Sequence, residues 1–131
     1  MPFRFVEVNL NYISIDGDDV GRKITSLYLE NATAKLSQFC DEMKDATEKI
    51  SNFLKGQGFE VIFCAADGVA ASIESDIDFE RAFTELCKFA PEGITLSAGV
   101  GQSLSQSYIA LLSAKSNGKN CIHRYSRLGE I

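Results

Sequence analysis

No stretch of this sequence stays apolar for the roughly 18 residues that a membrane span requires. The amino-terminal MPFRFVEVNLNY also lacks the continuous hydrophobic segment of a secretion signal, so a soluble, cytoplasmic chain is expected. Paired cysteines are missing too. Cys40, Cys64, Cys87 and Cys121 lie far apart with no CxxC, which indicates neither a zinc site nor a disulfide framework. They read as small buried hydrophobes in a reducing compartment. Basic residues are outnumbered, 13 against 18 acidic ones, for a net charge of −5. That balance weighs against a duplex nucleic-acid binder, which needs a basic face to displace counterions from phosphates. An acidic chain can still hold phosphates through a divalent cation. No GxxxxGK[ST] loop is present, against a P-loop ATPase, and no repeat, low-complexity tract or linker interrupts the chain.

What is there suffices for a core: with 131 residues, 45% of them hydrophobic, one domain over residues 1–131 is expected. From Phe3 to Ile15 the residues alternate apolar and polar in places and end β-branched, as a strand buried on at least one face does. Val20, Ile24, Leu27 and Tyr28 then recur at helical spacing. Leu36, Phe39, Met43, Ile50 and Phe53 continue that spacing up to the KGQG turn at 55–58, which predicts two helices broken near Asn31. FEVIFCAADGVAASI, at 59–73, is two β-rich halves around a turn-prone centre and reads as a hairpin. A helix over 78–90, a strand over 94–101, a helix over 103–117 capped by Ser103 or Ser105, and a strand over 120–126 complete the order βααββαβαβ. Within it lies β-α-β-β-α-β, the ferredoxin-like pattern. The expected fold class is α+β, a mainly antiparallel sheet with helices on one face.

The stretch SIDGDD places three carboxylates in four positions at the end of the first strand. In a ferredoxin-like sheet that strand neighbours the hairpin, so Asp16 can face the turn holding Asp67. Two carboxylates meeting there call for a proton or a cation between them, and hard oxygen donors favour Mg²⁺ or Mn²⁺ with substrate phosphates completing the shell. On this reading Asp16 ligates the metal, and Gly17 turns the backbone tightly and offers its carbonyl. Asp18 or Asp19 caps the helix that starts there, and the N–H groups of Gly17, Asp18, Asp19, Val20 and Gly21 cradle phosphate. The same residues also fit an ordinary solvated strand-to-helix turn. A calcium loop does not fit, because Val20 and Leu27 stand where two side-chain oxygens are needed. Arg22 and Lys23 are candidates for a second phosphate. Lys119 and Asn120 read as a turn, and Gly99 and Gly101 allow close approach of a base or a backbone, or mark a bulge. His123, the sole histidine, falls on the last strand and reads as structural.

SIDGDDVG after a strand, the small-small-Asp turn Ala65-Ala66-Asp67, and the tail TLSAGVG…YIALLSAKSNGKNCIHRY together resemble the palm domains of GGDEF cyclases and CRISPR polymerases. In length and in the Asp-Gly-Asp-Asp loop the chain is most similar to the minimal CRISPR polymerases, mCpol. The resemblance implies a palm-domain nucleotidyltransferase that joins nucleoside triphosphates, with ATP the expected substrate, into a cyclic oligonucleotide signal. A cyclic dinucleotide made by two-metal chemistry is the expected product. It implies further a homodimer with facing sites, an anti-phage setting, and a membrane-associated effector that senses the product. Position by position, Asp16 corresponds to the first-strand metal ligand and Asp67 to the third turn position, the second ligand. Lys115 corresponds to the late-helix lysine that reaches the triphosphate, although by itself it reads as a solvated helix-end lysine. The turn departs from the family pattern, with Ala65 and Ala66 for two glycines and Gly68 for the fourth-position acid. Asp18 and Asp19 are left as candidates to supply that carboxylate, and Lys119 as a further possible contact to substrate. A nucleotide cyclohydrolase or mononucleotide cyclase on the same fold, and a nucleotide-binding domain without chemistry, are the alternative readings.

Overall fold

The structure, a computed structural model, describes residues 9–65 and 67–126. Strand β1 (Asn11–Gly17) leads into helices α1 (Val20–Leu29) and α2 (Thr33–Gly56), and β2 (Glu60–Ala65) with β3 (Gly68–Ile73) forms the hairpin. Helix α3 (Phe79–Cys87), strand β4 (Leu96–Gly101), helix α4 (Leu104–Ser116) and strand β5 (Ile122–Arg124) follow, in the order expected from the sequence. Local chemistry sets the boundaries. Asn31 takes a left-handed φ of 54° between α1 and α2. Asp78 caps α3 by accepting from the Arg81 N–H at 3.0 Å, and Ser103 caps α4 by accepting from Gln106 N–H at 3.2 Å. The expected first strand falls partly on residues 1–8, outside the described residues, and Ala66 of the expected turn is outside them too. Among the described residues β1 starts at Asn11 and runs past Ile15 to Gly17. β5 is shorter than expected because Lys119 and Asn120 adopt left-handed φ values of 60° and 50° in the turn before it.

The strands lie in the order β2-β3-β1-β4-β5, antiparallel except for β4 beside β5. β1 is therefore central. Its register pairs Asp16 with Gly68 on one side and Ser97 on the other, which sets the hairpin turn beside the first-strand carboxylate.

Alternation along β1 divides the molecule into two layers. Ile13 and Ile15 enter a core with Val69, Ala71, Leu96 and Val100, covered by Ile50 and Leu54 of α2 and Phe79, Phe83 and Leu86 of α3. A second cluster, Val20, Leu27, Phe39, Met43 and Ile94, binds α1 to α2. Ser14 and Asp16 point the other way, toward α4, so helices lie on both faces rather than on one. The reason is a strip of small residues under α4. Ser14 shares a hydrogen bond of 2.8 Å with Ser107, and α4 approaches Gly99 so closely that a Cβ there would collide with the Ser107 carbonyl and the Leu111 amide. Of the alternatives left open by the glycines, backbone approach is the one realised.

Cysteine burial also differs from expectation. Cys40 on α2 and Cys64 on the edge strand β2 are exposed, while Cys87 and Cys121 are half-buried. An edge strand has no neighbour on its outer side to cover its residues. Among the described residues no helix is long and apolar enough to cross a membrane.

Gly99→Ala is expected to cost at least about 2 kcal/mol, because it overpacks against backbone that cannot rotate away. Gly21→Ala, which meets nothing within 4 Å in helix α1, is expected to be neutral or stabilising by a few tenths to about 1 kcal/mol. Urea unfolding of the two variants against the parent measures both.

Candidate active site

The register of β1 with β3 and a loop hydrogen bond bring two distant acids to one place. Gly17 N–H donates to the Asp67 carbonyl at 2.9 Å, tying the end of β1 to the hairpin turn. Asp16 and Asp67 line the same cleft, and their charges interact. Burial raises the Asp16 carboxyl above its ordinary value; the hydrogen bond from Lys115 opposes this rise, and the Asp67 charge adds to it. Gly68, at the fourth turn position, has an evident reason to lack a side chain: a Cβ would lie 3.1 Å from the Ile15 carbonyl and 3.2 Å from Asp16 Oδ1.

Lys115, in the last turn of α4, reaches into the same place. Its Nζ lies 2.9 Å from Asp16 Oδ2, 3.1 Å from the Gly17 carbonyl and 3.3 Å from Asp18 Oδ1. Burial alone would lower its pKa, but the bond to Asp16 and the charges of Asp16 and Asp18 outweigh that and raise it.

Asp18 is 3% exposed and fully engaged inside the protein. Its carboxylate accepts from Thr95 Oγ1 and Ser97 Oγ at 2.7 Å each, from Asn120 N–H at 3.0 Å and from Lys115. Burial pushes its carboxyl up, yet the donors from Ser97, Thr95, Asn120 and Lys115 prevail and hold it below the ordinary value. Asp18 thus holds β4, α4 and the 118–120 turn against the loop. Asp19 instead pairs with Lys119 at 2.6 Å on the surface. It also makes the sharp turn expected of Gly17, with a φ of 60°, whereas Gly17 remains in the strand, where a Cβ would press on Val20 Cγ2 at 2.7 Å.

Neither acid caps α1, contrary to expectation, because both side chains are drawn to partners far along the chain. The Gly17 and Asp18 N–H groups are also used, on the Asp67 and Thr95 carbonyls, which leaves only the start of α1 for the expected phosphate cradle; among the described residues no side chain accepts from that first turn. Arg22 is exposed there, and Lys23 lies over the Phe39 ring at 5.0 Å. His123 Nδ1 bonds Ser113 Oγ at 2.9 Å. Sequence reasoning missed Thr95 and Ser97. Two hydroxyl residues at i and i+2, one just before the apolar strand β4 and one within it, are the signal that marks one polar-lined face.

Because its folded pKa is depressed, Asp18 contributes stability that is present above about pH 4 and lost as pH falls below it. Asp18→Asn is therefore expected to lose about 2–4 kcal/mol at neutral pH, with the gap to the parent narrowing in acid. Urea midpoints at pH 7 and pH 3 measure it.

Several known structures share this arrangement of strands and helices. The GGEEF domain of a diguanylate cyclase from Vibrio cholerae superposes with a TM-score of 0.67 at 16% identity, over 91% of this chain and 84% of that one. The GGDEF domain of DgcB from Caulobacter crescentus, solved in complex with c-di-GMP, gives 0.67 at 11% identity, over 90% and 76%. A Csm1–Csm4 cassette solved in complex with pppApA gives 0.66 at 20% identity, over 86% of this chain but only 20% of that one. No curated protein matches the chain. The sequence model of the minimal CRISPR polymerase domain, mCpol, matches residues 12–125, from β1 through the residue after β5. The chain therefore belongs to the minimal CRISPR polymerase family, with a fold of the nucleotidyl-cyclase palm type.

Proposed function

We propose that this chain is an active nucleotidyltransferase that joins nucleoside triphosphates into a cyclic oligonucleotide. The observation that carries the reading is the convergence of Asp16, the Gly17 carbonyl, Asp67 and Lys115 at one cleft mouth beside an uncapped helix start. These donors suit a hard divalent cation. The lysine ammonium seated between Asp16 Oδ2 and the Gly17 carbonyl marks that oxygen set as one that attracts positive charge. Among the described residues no group of three or more His, Cys, Asp or Glu side chains could hold a metal ion, so nucleotide phosphates and water would have to complete its shell. Mg²⁺ sites of one or two carboxylates plus substrate phosphates are common.

Asp16, the Gly17 carbonyl and Asp67 would hold the divalent cations, two in the family resemblance, which would supply polarisation of the phosphate and ease ionisation of the attacking ribose hydroxyl. The chain's own residues do the positioning. A cleft of about 510 Å³ between α1 and α2, walled by Val20, Ile24, Phe39, Met43 and Thr47 and opening on Asp67, takes the base of the attacked triphosphate. The uncapped α1 start holds its phosphates, and Lys115 neutralises charge that develops on them. The attacking hydroxyl oxygen bonds to the α-phosphorus, the bond to pyrophosphate breaks with its electron pair, and the hydroxyl proton passes to water. Phosphoryl transfer asks the protein chiefly for such placement and charge.

Adenine is the proposed base, supported by the pppApA bound in the Csm1–Csm4 structure. A homodimer is proposed with it, since closing the ring of a cyclic dinucleotide needs a second α-phosphate activated in the same way. Membership in the minimal CRISPR polymerase family supports an anti-phage setting and a membrane-associated effector as the receiver of the signal.

Incubation with the four NTPs and Mg²⁺ or Mn²⁺ is expected to release pyrophosphate and a phosphatase-resistant cyclic product. Asp67→Ala should lower that yield at least about 100-fold with an unchanged circular dichroism spectrum and melting temperature. A different small product would point to a cyclohydrolase or mononucleotide cyclase, and binding without turnover to a regulatory domain.

A further inference from the structure

The oxygens that suit a divalent cation already hold a positive charge. Lys115 Nζ stands 2.9 Å from Asp16 Oδ2 and 3.1 Å from the Gly17 carbonyl, both of them donors proposed for the metal. Among the described residues it is the one cation within ion-pair distance of Asp16. Mg²⁺ takes its oxygens at about 2.0–2.1 Å in near-ideal octahedral geometry, so the same two oxygens cannot serve it while an ammonium bridges them. Two positive charges held this close in a partly buried cleft also repel each other.

The departure of Lys115 costs its two carboxylate partners very different amounts. Asp18 Oδ1 keeps the Ser97 hydroxyl at 2.7 Å, and Oδ2 keeps the Thr95 hydroxyl and the Asn120 N–H, so both oxygens stay satisfied when the 3.3 Å contact to Lys115 breaks. Asp16 has no other side-chain partner among the described residues. Its carboxylate, with the Asp67 charge nearby, is left uncompensated unless another cation arrives. Helix α4 is held against Ser14 and Gly99, so the lysine side chain and not the helix must swing. A triphosphate at the mouth of the same cleft is the group that draws an ammonium away, since it offers several anionic oxygens to a flexible point charge.

We propose that Lys115 is a latch that couples metal to nucleotide: it holds the Asp16 and Gly17 oxygens until the phosphates of a nucleoside triphosphate draw it off, and those oxygens then take the divalent cation. This rests on the nucleotidyltransferase reading above and deepens it, giving Lys115 a second part besides neutralising charge on the phosphates. The coupling is reciprocal, so metal without nucleotide binds weakly and each ligand strengthens the other. Some of that coupling comes from phosphate oxygens that touch the metal directly. The share due to Lys115 is the one that shows with metal alone.

Mn²⁺ alone is the probe, followed by loss of the free-ion signal in electron paramagnetic resonance with no nucleotide present. Lys115→Met is expected to bind Mn²⁺ at least about 10-fold more tightly than the parent, while Lys115→Arg, which keeps the charge, stays as weak as the parent. Lys115→Gln, which removes the charge but keeps a donor for the Gly17 carbonyl, should follow Lys115→Met and carries the same test if the methionine variant does not fold. Asp16→Asn added to Lys115→Met should abolish the gain, which ties it to that carboxylate. Mg²⁺ should also raise the melting temperature of Lys115→Met more than that of the parent. Equal Mn²⁺ affinity in the parent and the uncharged variants, no binding in any of them, or a gain that survives Asp16→Asn would each overturn the latch. None of these three results touches the nucleotidyltransferase reading, which fails separately if the parent releases no pyrophosphate from the NTPs in Mg²⁺ or Mn²⁺.

Discussion

The buried carboxylate of Asp18 is the constraint on which the site depends. A charge taken out of water is tolerated only where donors replace its hydration, and here Thr95, Ser97, Asn120 and Lys115 do so. These donors come from β4 and the residue just before it, from α4, and from the turn that precedes β5. Meeting the needs of one carboxylate therefore fixes where the loop after β1 sits relative to three other segments. That loop carries the Asp16 carboxylate and the Gly17 carbonyl, so their aim is set by a residue with no free oxygen of its own.

The two faces of the sheet are built on different physics. Toward α2 and α3 the strands present branched aliphatic side chains, and ordinary hydrophobic burial closes the layer. Toward α4 they present serine and glycine, and the contact is nearly backbone on backbone. A helix seated this close to the strands carries Lys115 with little freedom to move sideways. The charged residue is long, but its anchor is rigid, which is how a flexible side chain can be aimed at a carboxylate in another element.

Much of this was legible in the sequence, because it rests on local rules. Helical spacing, the break at Asn31, a serine cap at 103 or 105 and the turn-prone centre of the hairpin each depend on a few adjacent residues, and the elements appeared in the order those rules give, with Ser103 as the cap. The approach of Asp16 to the turn holding Asp67 was legible because the ferredoxin-like order leaves few ways to arrange the strands. What was not legible depends on long-range contacts. The engagement of Asp18 requires residues 77 and more positions away. The absence of a cap on α1 follows from that same engagement and from the pairing of Asp19 with Lys119. The face of Phe63 depends on a one-residue slip in register, which alternation alone cannot reveal.

The register of β2 on β3 slips between Val61 and Phe63, leaving Ile62 as the extra residue of a bulge, and this affects how the molecule behaves in a crowded solution. A sheet with a straight, open rim invites strands from other molecules to add to it, which is the route to fibrils. Among the described residues the β2 rim is kinked and the β5 rim is three residues long, so neither offers a regular ladder for a foreign strand to extend. Strand addition at either rim is therefore disfavoured by the backbone itself and not only by side-chain charge.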